Sequence, residues 1–158
     1  MKTLRHLTPL ALCAVGCCAA TREYPKDCAA LFPSAAQAMT AAGFEVTVSD
    51  ATGGVLNAKY AGEPMIYNAF GKGVAPYFEK YVQGGYKKYK LRGLTLTSAN
   101  FTFTTAGDAC KVALTVGLAG VDIKADTDPR HHTGQWVRTY TPVPSNGTAE
   151  AEILERVK

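Results

Sequence analysis

Leu91-Arg-Gly-Leu-Thr-Leu-Thr-Ser-Ala-Asn-Phe-Thr-Phe-Thr-Thr-Ala-Gly-Asp-Ala-Cys-Lys-Val-Ala-Leu-Thr-Val-Gly-Leu-Ala-Gly-Val-Asp-Ile-Lys-Ala125 is the stretch from which the fold is read. Apolar and polar residues alternate along most of it, the period of a strand with one buried face. Ala106-Gly107-Asp108-Ala109 supplies a hairpin turn with glycine where positive φ is needed. Pairing about that turn sets Phe101 opposite Leu114 and Leu94 opposite Val121. Leu94 and Leu96 are out of phase with Phe101, as Val121 and Ile123 are with Leu114. Both arms are therefore expected to exchange buried faces together, through ribbon twist or through bulges near Ala99 and Gly120.

Upstream, Asp27 is placed to cap a helix that carries Pro33 early and stops at Gly43. Phe32, Ala35, Met39 and Ala42 give it a thin apolar stripe suited to lying on a sheet. Phe44, Val46 and Val48 then alternate with polar residues, Asp50 to Gly54 turns the chain, and Leu56, Ala58 and Tyr60 alternate again, a second hairpin. Tyr77, Phe78, Tyr81 and Val82 have helical spacing, so a short middle helix is expected from about Ala75 to Gln83. Downstream, Gln135 to Thr141 reads as a last strand with Trp136, Arg138 and Tyr140 on one face. Thr148 is expected to cap a closing helix whose apolar edge is Ile153, Leu154 and Val157. The fold class is α+β: a single antiparallel β-sheet packed against N-terminal and C-terminal helices, in the order α-β-β-(α)-β-β-β-α.

The chain has 158 residues. Lys2 and Arg5 precede a short apolar stretch from Leu7 to Val15 that contains Pro9, too short to span a bilayer. Ala14-Val15-Gly16-Cys17 resembles a lipobox, the motif at which bacterial lipoproteins are acylated on cysteine and cut before it. The resemblance implies a signal over residues 1–16, lipid on Cys17, a lipidated tether over 17–26 and one domain over 27–158. Lipid on Cys18, or an ordinary signal-peptidase cut after Ala20, are the alternatives. Neither cysteine is followed by Asp, which for exported lipoproteins implies the outer membrane, facing the periplasm. Loss of Lys2 and Arg5 takes Lys+Arg from 17 to 15 against 13 acids, so the apparent basicity lies partly in the signal. So even a balance disfavours a nucleic-acid binder, which needs many phosphate contacts.

Once the signal and anchor are set aside, Cys28 and Cys110 remain for the folded body. Two such cysteines in an exported chain invite a disulfide, and Cys110 shares the parity of Val112 and Leu114, the face the first helix is expected to cover. The alternative is a pair of buried thiols.

Two clusters carry chemistry. Asp126-Thr-Asp-Pro-Arg-His-His132 holds the two histidines outside the signal, so Asp128, His131 and His132 are weak metal-ligand candidates. Zinc sites use three or four ligands fixed on rigid elements, whereas adjacent loop histidines point apart, so exposed loop residues are the preferred reading and no cofactor is expected. Tyr77, Lys80, Tyr81, Lys87, Lys88, Lys90 and Arg92 interleave cations with aromatic rings and are candidates for contact with anionic lipid or an acidic protein face. The plainer alternative is solvated lysines over buried tyrosine rings. No nucleophile elbow or phosphate-binding glycine loop occurs.

The first helix, Gly43-Phe-Glu-Val46, the Gly53-Gly54 turn and the closing helix together resemble small exported lipoproteins with helix-grip-like domains, including accessory lipoproteins of outer-membrane assembly. That resemblance lies in element order and brings no catalytic motif. It implies a non-enzymatic accessory or scaffold module of the cell envelope, with the membrane and an envelope protein or anionic lipid surface as partners. The alternative expectation is a ligand-binding or inhibitory module, with a lipid, cell-wall fragment or foreign hydrolase held in a groove between the sheet and the middle helix.

Overall fold

The structure is a computed structural model that describes residues 12–14, 17–63, 66–67, 73–125 and 136–158. A single antiparallel sheet carries helices on one face, an α+β architecture. Its strands are β1 (Leu12–Ala14), β2 (Cys17–Tyr24), β3 (Phe44–Asp50), β4 (Val55–Tyr60), β5 (Ile66–Tyr67), β6 (Gly93–Ala106), β7 (Ala109–Ala125) and β8 (Trp136–Val143). The helices are α1 (Cys28–Ala41), α2 (Ala75–Tyr81), α3 (Gly85–Tyr89) and α4 (Thr148–Leu154). The order departs from expectation in three places: β1 and β2 precede α1, β5 pairs with β6, and a further short helix, α3, follows the expected middle helix α2.

The β6–β7 hairpin is the spine. Ala106 pairs with Ala109 across a turn in which Gly107 has φ 62°, and Phe101 lies opposite Leu114 as the alternation requires. Beyond that point the expected register fails by one residue. A bulge between Leu96 and Ser98 leaves Thr97 without a partner, so Leu94 faces Gly120 instead of Val121. The extra residue keeps Leu94 and Leu96 on the same face as Phe101, in the core under the helices. On β7 the buried face changes there: Val121 and Ile123 lie buried outside that core, and Thr95 of β6 is buried with them opposite Ala119. Gly117 lies opposite Ser98, where a Cβ would collide with the Thr97 hydroxyl, so a side chain there would compete with the bulge for space.

The strand order β1-β2-β7-β6-β4-β3 gives the long hairpin short flanking strands. Thr115 to Cys110 of β7 pair with Ala19 to Tyr24 of β2, and Leu118 to Ala125 pair with Val143 to Trp136 of β8. Because β6 occupies the other side of β7, β2 and β8 lie end to end along one edge, separated only by Val116 and Gly117. The segment 17–26, expected as a tether, thus contains a strand of the sheet. Its composition gave little sign of this because β2 is held chiefly by backbone hydrogen bonds; among its residues of described burial, 19–24, Ala20 and Tyr24 are the ones buried in the core.

In α1, Asp27 accepts from the Ala29 N–H, and Gly43 takes φ 87° just past the C-cap, as expected of start and stop. Leu31, Phe32, Ala35, Ala38 and Met39 form its buried stripe. Burying Leu31, Phe32 and Met39 contributes about 1.5–3 kcal/mol each, so packing on the sheet outweighs the cost of Pro33 in the sixth helical position. In β3 a bulge between Val46 and Val48 reverses the alternation, so Val48, expected inside, is 47% exposed. For α4, Gly147 is the N-cap, with no side-chain bond of its own. Asn146 Oδ1 accepts from the Thr148 N–H and Ser145 Oγ from the Gly147 N–H, the work expected of Thr148. Ile153, Leu154 and Val157 are buried as the helical pattern requires.

Candidate functional site

The junction where β2 begins its pairing with β7, β8 ends and α4 starts is the most chemically organised part of the described structure. Val116 sits in the gap between the two edge strands, so neither of them can take its amide. Glu150, in the first turn of α4, reaches into that gap: Oε1 accepts from the Val116 N–H at 3.1 Å and Oε2 from the Ser145 hydroxyl at 2.6 Å. Its side chain is fully buried, and burial raises its carboxyl above the ordinary value, opposed by the hydrogen bonds it accepts from Ser145 and Val116. Sequence reading missed Glu150, because an acid in the first helical turn ordinarily signals a favourable helix dipole and nothing more.

Beside this junction lies a cleft of about 320 Å³ lined by Ala20, Asn146, Gly147, Thr148, Ala151, Glu152 and Glu155. At the middle helix, Val74 and Phe78 are fully buried. The Phe78 ring also meets Tyr86 edge-on at 5.9 Å and Tyr89 at 6.4 Å. The residues that line the cleft belong to β2, α4 and the segments beside α4.

The Tyr-Lys cluster divides between structure and surface. Lys80 pairs with Glu152 at 2.7 Å and lies 4.7 Å over the Tyr81 ring; the bond it donates to Glu152, then its bond with Tyr81, holds its ammonium above the ordinary lysine value. Tyr81 is buried and donates its hydroxyl to Glu152 at 3.1 Å, fastening α2 to α4. Lys88 lies over the Tyr89 ring at 5.2 Å, and Arg92 stands 3.9 Å from Asp122. Tyr77, Lys87 and Lys90 remain at the surface, Lys90 in the left-handed conformation that ends α3. The seven residues therefore do not act as one exposed set.

Cys28 and Cys110 are joined by a disulfide with their Cα atoms 5.0 Å apart, fixing the start of α1 to the hairpin as expected. Cys17 and Cys18 begin β2, and their backbones pair with Ala14 and Cys13 of β1. Asp128, His131 and His132 lie outside the described residues; among the described residues no group of three or more His, Cys, Asp or Glu could hold a metal. Among those residues, too, no helix is long and apolar enough to cross a membrane. Comparison of the chain with protein-family models, with curated proteins and with solved structures finds no match.

Proposed function

We propose that this protein is a lipid-anchored, non-enzymatic accessory or scaffold module of the cell envelope, attached through Cys17 at the periplasmic face of the outer membrane. The observation that carries the reading is the Cys28–Cys110 disulfide in a chain whose start resembles a lipoprotein signal. Such bonds persist where the compartment is oxidising, which agrees with export. A scaffold role is supported by the way the buried carboxylate is used: both Glu150 oxygens are committed to groups of the fold.

Metabolic labelling with palmitate tests it. The protein should take up label, Cys17→Ala should abolish it, and blocking lipoprotein signal peptidase should leave an uncut precursor. Label that survives Cys17→Ala and disappears only with Cys18→Ala moves the site by one residue. Absence of label in the unaltered chain overturns the anchored reading in favour of a freely secreted protein.

A further inference from the structure

We infer that the edge formed end to end by β2 and β8 is the surface that lies against the bilayer carrying the anchor. The inference rests on the lipoprotein reading above and deepens it. Ala19 is the first residue of β2 paired with β7, two positions after Cys17, so the acylated residue stands within about 7 Å of the sheet at the rise of a strand. A chain with a free tether could present any face to the membrane; one with two residues of slack cannot. Cutting before Cys17 also removes β1, which pairs along the outer side of Cys17 to Ala19, and so opens this edge at the attachment point.

The rest of the edge has the chemistry of a headgroup contact. β8 reads Trp136-Val-Arg-Thr-Tyr-Thr-Pro-Val143 and carries no acid. Tyr140 is 55% exposed and Val137 46%, and the residues between them are exposed as well. Tyrosine is at home where an apolar body meets a wet polar boundary. The open backbone groups of an edge strand exclude it from the hydrocarbon but not from the hydrated headgroup layer. The opposite edge, β3, exposes two acids, Glu45 and Asp50, which an anionic lipid surface repels, whereas the proposed edge exposes one, Glu23 of β2, next to the exposed Arg22. Val48 on β3 is as exposed as Val137, yet lies four strand spacings from β2, about 19 Å across the sheet.

The experiment uses the full chain, lipidated in cells, in a Cys18→Ser background, with an environment-sensitive fluorophore on Tyr140→Cys or, separately, on Val48→Cys. Each protein is reconstituted in phosphatidylethanolamine and phosphatidylglycerol vesicles containing headgroup-nitroxide lipid. Quenching several-fold stronger at position 140 than at 48 is expected. An eight-residue Gly-Ser insertion between Cys18 and Ala19 should erase that contrast by restoring a tether of about 16 Å. Equal quenching at both positions, with palmitate on Cys17, overturns the inference and leaves the lipoprotein reading standing. A contrast that survives the insertion also overturns the part played by the short attachment, and absence of palmitate both here and in the chain that keeps Cys18 overturns both readings. Circular dichroism of both labelled variants should match the unaltered protein, so that misfolding is not read as reorientation.

Discussion

The carboxylate of Glu150 in α4 accepts the Val116 N–H of β7 at 3.1 Å, closing the one break between the two strands that share that edge. Glu150→Ala should leave the Val116 amide and the Ser145 hydroxyl without this partner in a dry site, costing about 1–3 kcal/mol for each group left unpaired. Glu150→Gln keeps an acceptor for Val116 and should cost distinctly less. Urea unfolding of the two variants checks the order, and an Ala variant no worse than Gln would contradict it.

Glu150 also sets a pH dependence. Its carboxyl is raised in the folded state above the ordinary value of 4.5. The folded form therefore holds its proton more tightly, and the stability this contributes is full below 4.5 and is lost as pH rises through the folded value. The stability of the unaltered protein relative to Glu150→Gln should grow on acidification toward about pH 4. Unfolding midpoints of both proteins between about pH 4 and 7 measure it, and a relative stability that falls on acidification would refute the assignment.

The Cys28–Cys110 bond closes a separation of 82 residues. Replacing both cysteines by alanine should lower the unfolding free energy by about 2–4 kcal/mol, chiefly by freeing the unfolded chain. Thiol counting under denaturing conditions, in a chain lacking Cys13, Cys17 and Cys18, should find no free thiol before reduction and two afterwards.

Two glycines in left-handed turns separate backbone strain from collision. At Gly107, φ 62°, nothing lies within 4 Å of the place a Cβ would take, whereas at Gly54, φ 66°, that atom would stand 2.6 Å from the Phe103 carbonyl oxygen. Gly107→Ala should cost about 1–2 kcal/mol from handedness alone. Gly54→Ala should cost more, because the Phe103 N–H also bonds to the Gly54 oxygen at 2.8 Å and the strands cannot simply part. Comparing the two melting temperatures checks the difference.

Tyr24, in the last position of β2, donates its hydroxyl at 2.7 Å to the Leu154 carbonyl at the end of α4, which also accepts from the Val157 N–H at 3.2 Å. Tyr24→Phe should lower stability by about 1 kcal/mol while leaving the ring packed. If the N-terminal strand contributes to the fold as its pairing indicates, that loss appears in the main cooperative transition and not as separate fraying.

Some of this protein was already decided in the sequence because the forces concerned are local. The alternation around Phe101 and Leu114 and the glycine turn between them set the central hairpin, and Asp27 and Gly43 bound the first helix. The shared parity of Cys110 with its apolar neighbours put its sulfur on the helix side, where Cys28 meets it. Other features depend on groups far apart in the chain. The bulge at Thr97 keeps Leu94 and Leu96 over the common core while β7 turns Val121 away, a compromise visible only when helices and both arms are present together. β2 joins the sheet because β8 reaches only as far as Leu118, leaving the preceding part of β7 open to a strand with little apolar pattern. Glu150 is buried for the same reason: the gap between those strands leaves an amide that needs an acceptor, and only the packing of α4 brings one to it.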